Sequence, residues 1–263
     1  MMQTKGLRWF IIFFMMVSYF SVEVIAANES MQKPEEVEVI FFDLPHGEST
    51  LLRNHQGEHI LINTGSDKSQ ESLFRQLDKL HVNTIETVII TSNSDEYSGN
   101  VDDVMKRYNT EQIIVPQRIQ SQWMGDSKIQ TWTVENQYTL WEDLKVNVLD
   151  ETSDGDISFL LSFGDESILF LNNKEIDIEQ RLIDFNIQTD IVKIAAFASG
   201  HSPTEQFLEQ VDPYISIIFH SQTHQVNEGL IERLNATWID VYFLKQTGTT
   251  VIRLTKHDYE VLS

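Results

Sequence analysis

Residues 87–100 read Thr87-Val88-Ile89-Ile90-Thr91-Ser92-Asn93-Ser94-Asp95-Glu96-Tyr97-Ser98-Gly99-Asn100. The first four, short, apolar and largely β-branched, predict a buried strand. The next ten carry three serines, two acids, a tyrosine and two asparagines, a polar loop set directly on the end of that strand. Upstream, Val37–Phe42, Ser49–Arg53 and His59–Ile62 are β-rich runs parted by turn residues such as Gly47 and Gly57, which predicts an antiparallel meander. Between meander and buried strand, Leu73, Phe74, Leu77 and Leu80 fall at helical spacing.

Downstream, Val101–Tyr108 predicts a helix and Gln112–Pro116 a strand. A strand-rich stretch from Gln117 to Asp150 carries Trp123, Trp132 and Trp141, aromatics read as core rather than as the lining of a cleft. Gly164-Asp165 turns a hairpin between Ile157–Phe163 and Ser167–Leu171. Strand and helix then alternate: helices at Glu179–Phe185, Thr204–Val211 and Asn227–Asn235, and strands at Asp190–Ala195, Tyr214–Phe219, Trp238–Leu244 and Thr249–Leu254. Strands first, then alternation, twice over, predict an α/β (α+β) protein built as a four-layer αββα sandwich.

Lys5 and Arg8 precede an apolar run, Trp9–Val22, closed by Glu23 and the small-residue ending Val24-Ile25-Ala26. Residues 1–26 therefore predict a signal peptide or an N-terminal membrane anchor, shorter than a span of about 20 residues. The polar stretch 27–36 reads as a linker, and 37–263 as one domain. This organisation predicts an extracytoplasmic protein, secreted or held to the outer face of the membrane, touching the bilayer only through its N-terminal segment. With no cysteine, thiolate catalysis, cysteine–zinc sites and a lipidated cysteine anchor are excluded. Beyond residue 26 the chain has 17 basic and 39 acidic residues, a balance of −22, which opposes binding to nucleic acid.

Six segments, in order, resemble the metallo-β-lactamase superfamily, and most closely its ComEC-like branch. Asp43-Leu44-Pro45-His46-Gly47-Glu48-Ser49 is similar to that branch's D-V-G-Q-G-D-A, and Leu61-Ile62-Asn63-Thr64-Gly65 to its L-I-D-T-G. Residues 91–100 follow the frame T-H-x-H-x-D-H-x-G-G with every histidine replaced. Leu171-Asn172-Asn173 falls on T-G-D, Ala196-Phe197-Ala198-Ser199 on H-H-G-S, and His220–Gln225 on N-S-Y-G-H-P. The resemblance implies the αββα metallo-β-lactamase sandwich over the whole of 37–263. It also implies that Ser92, Ser94, Glu96, Tyr97, Asn173 and His224 stand at vestigial ligand positions, with Asn63, Asp95, Ala196, Phe197 and Ser199 as further candidates for the same pocket.

Of the implied ligands only His224 keeps its residue type, and Glu96 keeps a carboxylate. Zinc takes imidazole, thiolate or carboxylate donors in a tetrahedron, and serine, alanine or phenylalanine supplies none of them. Asn63 and Asn173 are neutral where the branch has aspartates, as suits a site without a cation, since a buried carboxylate would then be an uncompensated charge. The expected function is accordingly an exported, catalytically inactive relative that binds an unidentified protein or small molecule, with no catalytic residue and no cofactor. The alternative is a metal-dependent hydrolase, phosphodiesterase- or nuclease-like, with zinc or another divalent metal in a rebuilt site around Asp95, Glu96, His224 and His201. A nucleic-acid role in competence follows from the resemblance alone. Ser92, Ser94 and Ser199 lack a nucleophile-elbow motif, and His46, His55 and His59 read as exposed loop histidines.

Overall fold

The computed structural model describes residues 35–123 and 128–262. The predicted signal or anchor segment and most of the predicted linker lie outside the described residues. The chain first lays down β1 (Val37–Phe41), β2 (Thr50–Asn54), β3 (His59–Ile62), β4 (Thr87–Ile89), β5 (Gln112–Pro116) and β6 (Lys128–Trp132). A second set follows: β7 (Gln137–Trp141), β8 (Leu144–Glu151), β9 (Ile157–Phe163), β10 (Glu166–Phe170), β11 (Ile191–Lys193), β12 (Ile215–Ile218) and β13 (Asp240–Phe243). The chain then returns to the first sheet with β14 (Thr250–Leu254) and β15 (Tyr259–Leu262).

The first sheet runs β15-β14-β1-β2-β3-β4-β5-β6 and the second β13-β12-β11-β10-β9-β8-β7. The β1–β2–β3 meander is antiparallel, as expected, and β3 through β6 continue in parallel. Strands β10 to β13 are likewise parallel.

Strand period decides the layers. From β1, Val37, Val39 and Phe41 enter the core between the sheets, whereas Ile40 and Phe42 enter a core under the helices α1 (Gln70–Lys79) and α3 (Val101–Tyr108); Tyr97 of the short α2 (Asp95–Ser98) joins the inter-sheet core. From β10, Ile168 and Phe170 face the inter-sheet core. Leu169 and Leu171 face the core under α4 (Asp177–Asp184), α5 (Glu205–Val211) and α6 (Glu228–Ala236). A short helix, α7 (Leu244–Thr247), joins β13 to β14. Three cores between four layers make the αββα sandwich. Both faces of most strands are buried, which is why these strands read as continuous apolar runs.

The structure departs from the sequence reading at three places. Strand β15 was not anticipated, because Tyr259-Glu260-Val261-Leu262 follows a polar turn and lies at the sheet edge. His59 is not an exposed loop residue. It lies buried in β3 on the same face as Leu61, with its backbone N–H donating to Glu86 Oε2 at 2.7 Å. Burial lowers its pKa from 6.5. Trp132 is buried in the inter-sheet core, as expected, but its partner Trp141 is only partly buried at the rim.

Candidate functional site

The ends of β1, β3, β4, β10, β11 and β12 all open at one end of the sandwich, and the loops that leave them form the site. This is where open parallel sheets generally present side chains to a ligand. Three of these loops are tied by their backbones. Glu48 N–H donates to Glu96 O at 2.8 Å, Gly65 N–H to Glu48 O at 2.9 Å, and Thr64 N–H to Tyr97 O at 2.7 Å. Gly47 makes the approach possible. At φ +89 it sits where a Cβ would meet Glu96 O at 2.2 Å, so no other residue fits without moving the loop. Asn100 holds the same junction through its side-chain amide, which donates to Thr64 O at 2.8 Å and Ser66 O at 2.7 Å.

A cleft of about 760 Å³ opens among these loops. Its lining includes Ser92, Ser94, Glu96, Tyr97, Asn173, Ala196, Phe197 and His224, so all six vestigial ligand positions and two of the further candidates are brought together. Asn63, Asp95 and Ser199 do not line it, and each is engaged elsewhere. Asn63 is buried behind the loop, its amide donating to Thr91 Oγ1 at 2.9 Å and its carbonyl accepting Thr91 N–H at 2.9 Å. Asp95 turns away and accepts Ser66 Oγ–H at 2.5 Å. Ser199 donates to Ala196 O at 2.7 Å. His201 lies apart from Glu96 and His224, against Asn227.

The remaining donor pair is already used internally. Glu96 Oε1 accepts Ser221 Oγ–H at 2.6 Å and Thr223 Oγ1–H at 2.7 Å, with His224 Nδ1 at 3.2 Å. Phe197 packs its ring 4.9 Å from that of His224 and 6.0 Å from that of Tyr97. Phe197 is buried, and it is delivered by a short turn in which Ala196, Phe197 and Ala198 all have positive φ (46, 59 and 56). Three consecutive non-glycine residues in this region cost of order 1–2 kcal/mol each. The turn keeps that geometry with Phe197 seated in the site.

These residues do not fit the metal centre that the resemblance implied. Hydroxyl, amide and phenyl groups stand where imidazole and carboxylate donors are required, and a single carboxylate–imidazole pair remains. Among the described residues, no three His, Cys, Asp or Glu side chains gather around a common point.

Beneath the cleft lies a buried ion pair, Lys193 with Glu48, that sequence reading did not single out. Lys193 ends β11 with its ammonium buried, donating to Glu48 Oε2 at 2.7 Å and to Asn172 Oδ1 at 2.5 Å. Tyr97 Oη–H donates to the other Glu48 oxygen at 3.3 Å. Burial raises Glu48 and lowers Lys193, while their mutual attraction opposes both shifts. Burial pushes the Tyr97 phenol well above its usual value. Asp156, on the cleft wall, is raised by burial, with hydrogen bonding from Ser92 working against the shift. The buried amide is Asn172, whose Nδ2–H also donates to Ile157 O at 2.6 Å. Its neighbour Asn173 caps a local turn by accepting Glu175 N–H.

No protein-family model matches the chain. In sequence it is 23% identical over 257 residues to ComE operon protein 3 of Bacillus subtilis (strain 168), matching 83% of this chain. The match spans about a third (33%) of that protein's length. Among solved structures, the metallo-beta-lactamase fold protein YhfI from Bacillus subtilis superposes with a TM-score of 0.62 at 11% identity, covering 84% of this chain and 100% of YhfI. Igni18, described as a metallo hydrolase from Ignicoccus hospitalis, gives 0.56 at 11% identity, over 86% of this chain and 99% of its own. A putative metal-dependent hydrolase from Parabacteroides distasonis gives 0.55 at 15% identity, over 78% and 92%. The two large sheets, their flanking helices and these likenesses together establish that this chain has the metallo-β-lactamase fold.

Proposed function

We propose that this chain works by binding rather than by hydrolysis, outside the cytoplasm, with the cleft at the strand ends as its binding surface. The observation that carries the reading is the packing of Phe197 between Tyr97 and His224. An aromatic plug sits where metal donors would have to converge, and Glu96, the one carboxylate left among the implied ligand positions, is spent on Ser221, Thr223 and His224. A bridging water activated by two cations has no place in that arrangement. The cleft has the size of an ordinary small-molecule site. Its lining of serine, asparagine and carboxylate groups suits a polar ligand or a polar segment of a partner protein. The −22 balance beyond residue 26 disfavours nucleic acid, and Lys5, Arg8 and the Trp9–Val22 run support export.

Elemental analysis of the tag-free protein from residue 27 onward, with hydrolysis assays on phosphodiester and ester substrates before and after chelation, tests the reading. The expected result is no stoichiometric zinc, manganese or iron and no turnover. Near-stoichiometric metal whose removal abolishes hydrolysis would overturn it. The likeness to Igni18 favours that second reading, a hydrolase with a rebuilt site.

A further inference from the structure

Strand period places Lys193 where a charge is least welcome. In β11, Ile191 faces the inter-sheet core and Val192 the outer core, so Lys193 points back between the two sheets. Its neighbours in register are Phe170 of β10 and Ile217 of β12, both in that same core. An ammonium in this position, 1% exposed, is tolerable only if it is paired and fully hydrogen-bonded. The partners that meet it come from three separate loops. Glu48 lies between β1 and β2, Asn172 follows β10, and Tyr97 reaches it through Glu48 from α2. The other charges bearing on the pair are Glu96, felt by Glu48, and Asp156, felt by Lys193. Asn172, Tyr97, Glu96 and Asp156 all line the cleft.

We infer that Lys193 is a built-in cation that does, from beneath the cleft, the electrostatic work the fold otherwise assigns to a bound metal. It neutralises the buried carboxylate of Glu48 and draws loops from both sheets into one floor. The misfit between the donor set and a metal is thereby accounted for, because the positive charge at the site is covalently part of β11. Lys193 acts as a positioning residue for Asn172 and Tyr97. The inference does not depend on the cleft's having a ligand.

The test is a charge cycle read by thermal unfolding at neutral pH, with and without a chelator, on the wild type, Lys193→Met, Glu48→Gln and the double variant. Methionine keeps the apolar stem and removes the charge together with the hydrogen bonds to Glu48 and Asn172. The single change leaves Glu48 buried and uncompensated, and a drop in Tm of roughly 10 °C is expected for a domain of this size. The double variant removes both charges and is expected to regain more than half of that loss. Should Lys193→Met fail to fold, a soluble, cooperatively melting double variant carries the same result. Losses that simply add in the double variant, or a double variant that also fails to fold, would refute the pairing. So would a wild-type Tm that falls on chelation, since the charge at the site would then be exchangeable.

Discussion

Phe197 gives the sharpest test of how the cleft is filled, because two effects act on it with opposite signs. The side chain is 2% exposed and packs against Tyr97 and His224, so truncation to alanine forfeits its packing, a loss of about 3–5 kcal/mol for a buried phenylalanine. The backbone at φ 59 remains strained in alanine but is unstrained in glycine. At ordinary positions glycine is the worse replacement, by about 0.4–1 kcal/mol, through its freer unfolded chain. At positive φ the order inverts. Phe197→Gly is therefore expected to be more stable than Phe197→Ala by about 1 kcal/mol, with both well below the wild type. Urea unfolding followed by intrinsic fluorescence measures this directly as midpoints at constant slope. If alanine proves equal to or better than glycine, the left-handed turn is not held against strain. If neither variant loses as much as about 1 kcal/mol, Phe197 does not plug the site.

Two further outcomes follow from the loop junction and the cleft wall. Gly47→Ala places a methyl at 2.2 Å from Glu96 O at a positive φ, so a loss of several kcal/mol is expected, read as a lowered urea midpoint; a wild-type midpoint would mean the two loops part freely. Asp156 has a raised folded-state pKa, chiefly through burial. Stability from its neutral form is present below the unfolded value, near 3.8, and is lost as pH rises through the folded value. Asp156→Asn is accordingly expected to gain Tm over the wild type at neutral pH and to lose that advantage toward pH 4, and a constant difference across the range would contradict the assignment.

The fold was legible because its signals are local and periodic. In β1, β9 and β12 most residues are apolar, since both faces are covered, and the hairpin at Gly164-Asp165 announces itself by its turn residues. The loop positions were legible only as a frame. The resemblance implied Ser92, Tyr97, Phe197 and His224, and the structure gathers them. Nothing in the sequence said that Asn172 rather than Asn173 points inward, since a one-residue shift at a strand end reverses the face. Asp95 and Ser199 lie next to cleft residues in sequence, but their side chains are taken by Ser66 and Ala196. Lys193 had a signal that went unused. A lysine between Val192 and Ile194 in a strand buried on both faces must be paired. Its partner at Glu48 lies 145 residues away, and only the packing of one sheet on the other brings them together. The left-handed run at 196–198 left no mark in residue type, for alanine and phenylalanine are disfavoured at positive φ and carry no glycine or asparagine signal to announce it.

That 145-residue separation bears on the order in which the molecule can be made. Glu48 leaves the ribosome on the order of 10 s before Lys193 at ordinary elongation rates. Throughout that interval its carboxylate must stay in water, because burying it early would strand an unpaired charge. Strand β1 waits longer still, since its antiparallel neighbour β14 lies near the end of the chain. The first half of the protein is thus a sheet with an open side and a floor without its cation. Synthesis of the second half supplies both, so the cleft is among the last parts of the chain to take shape.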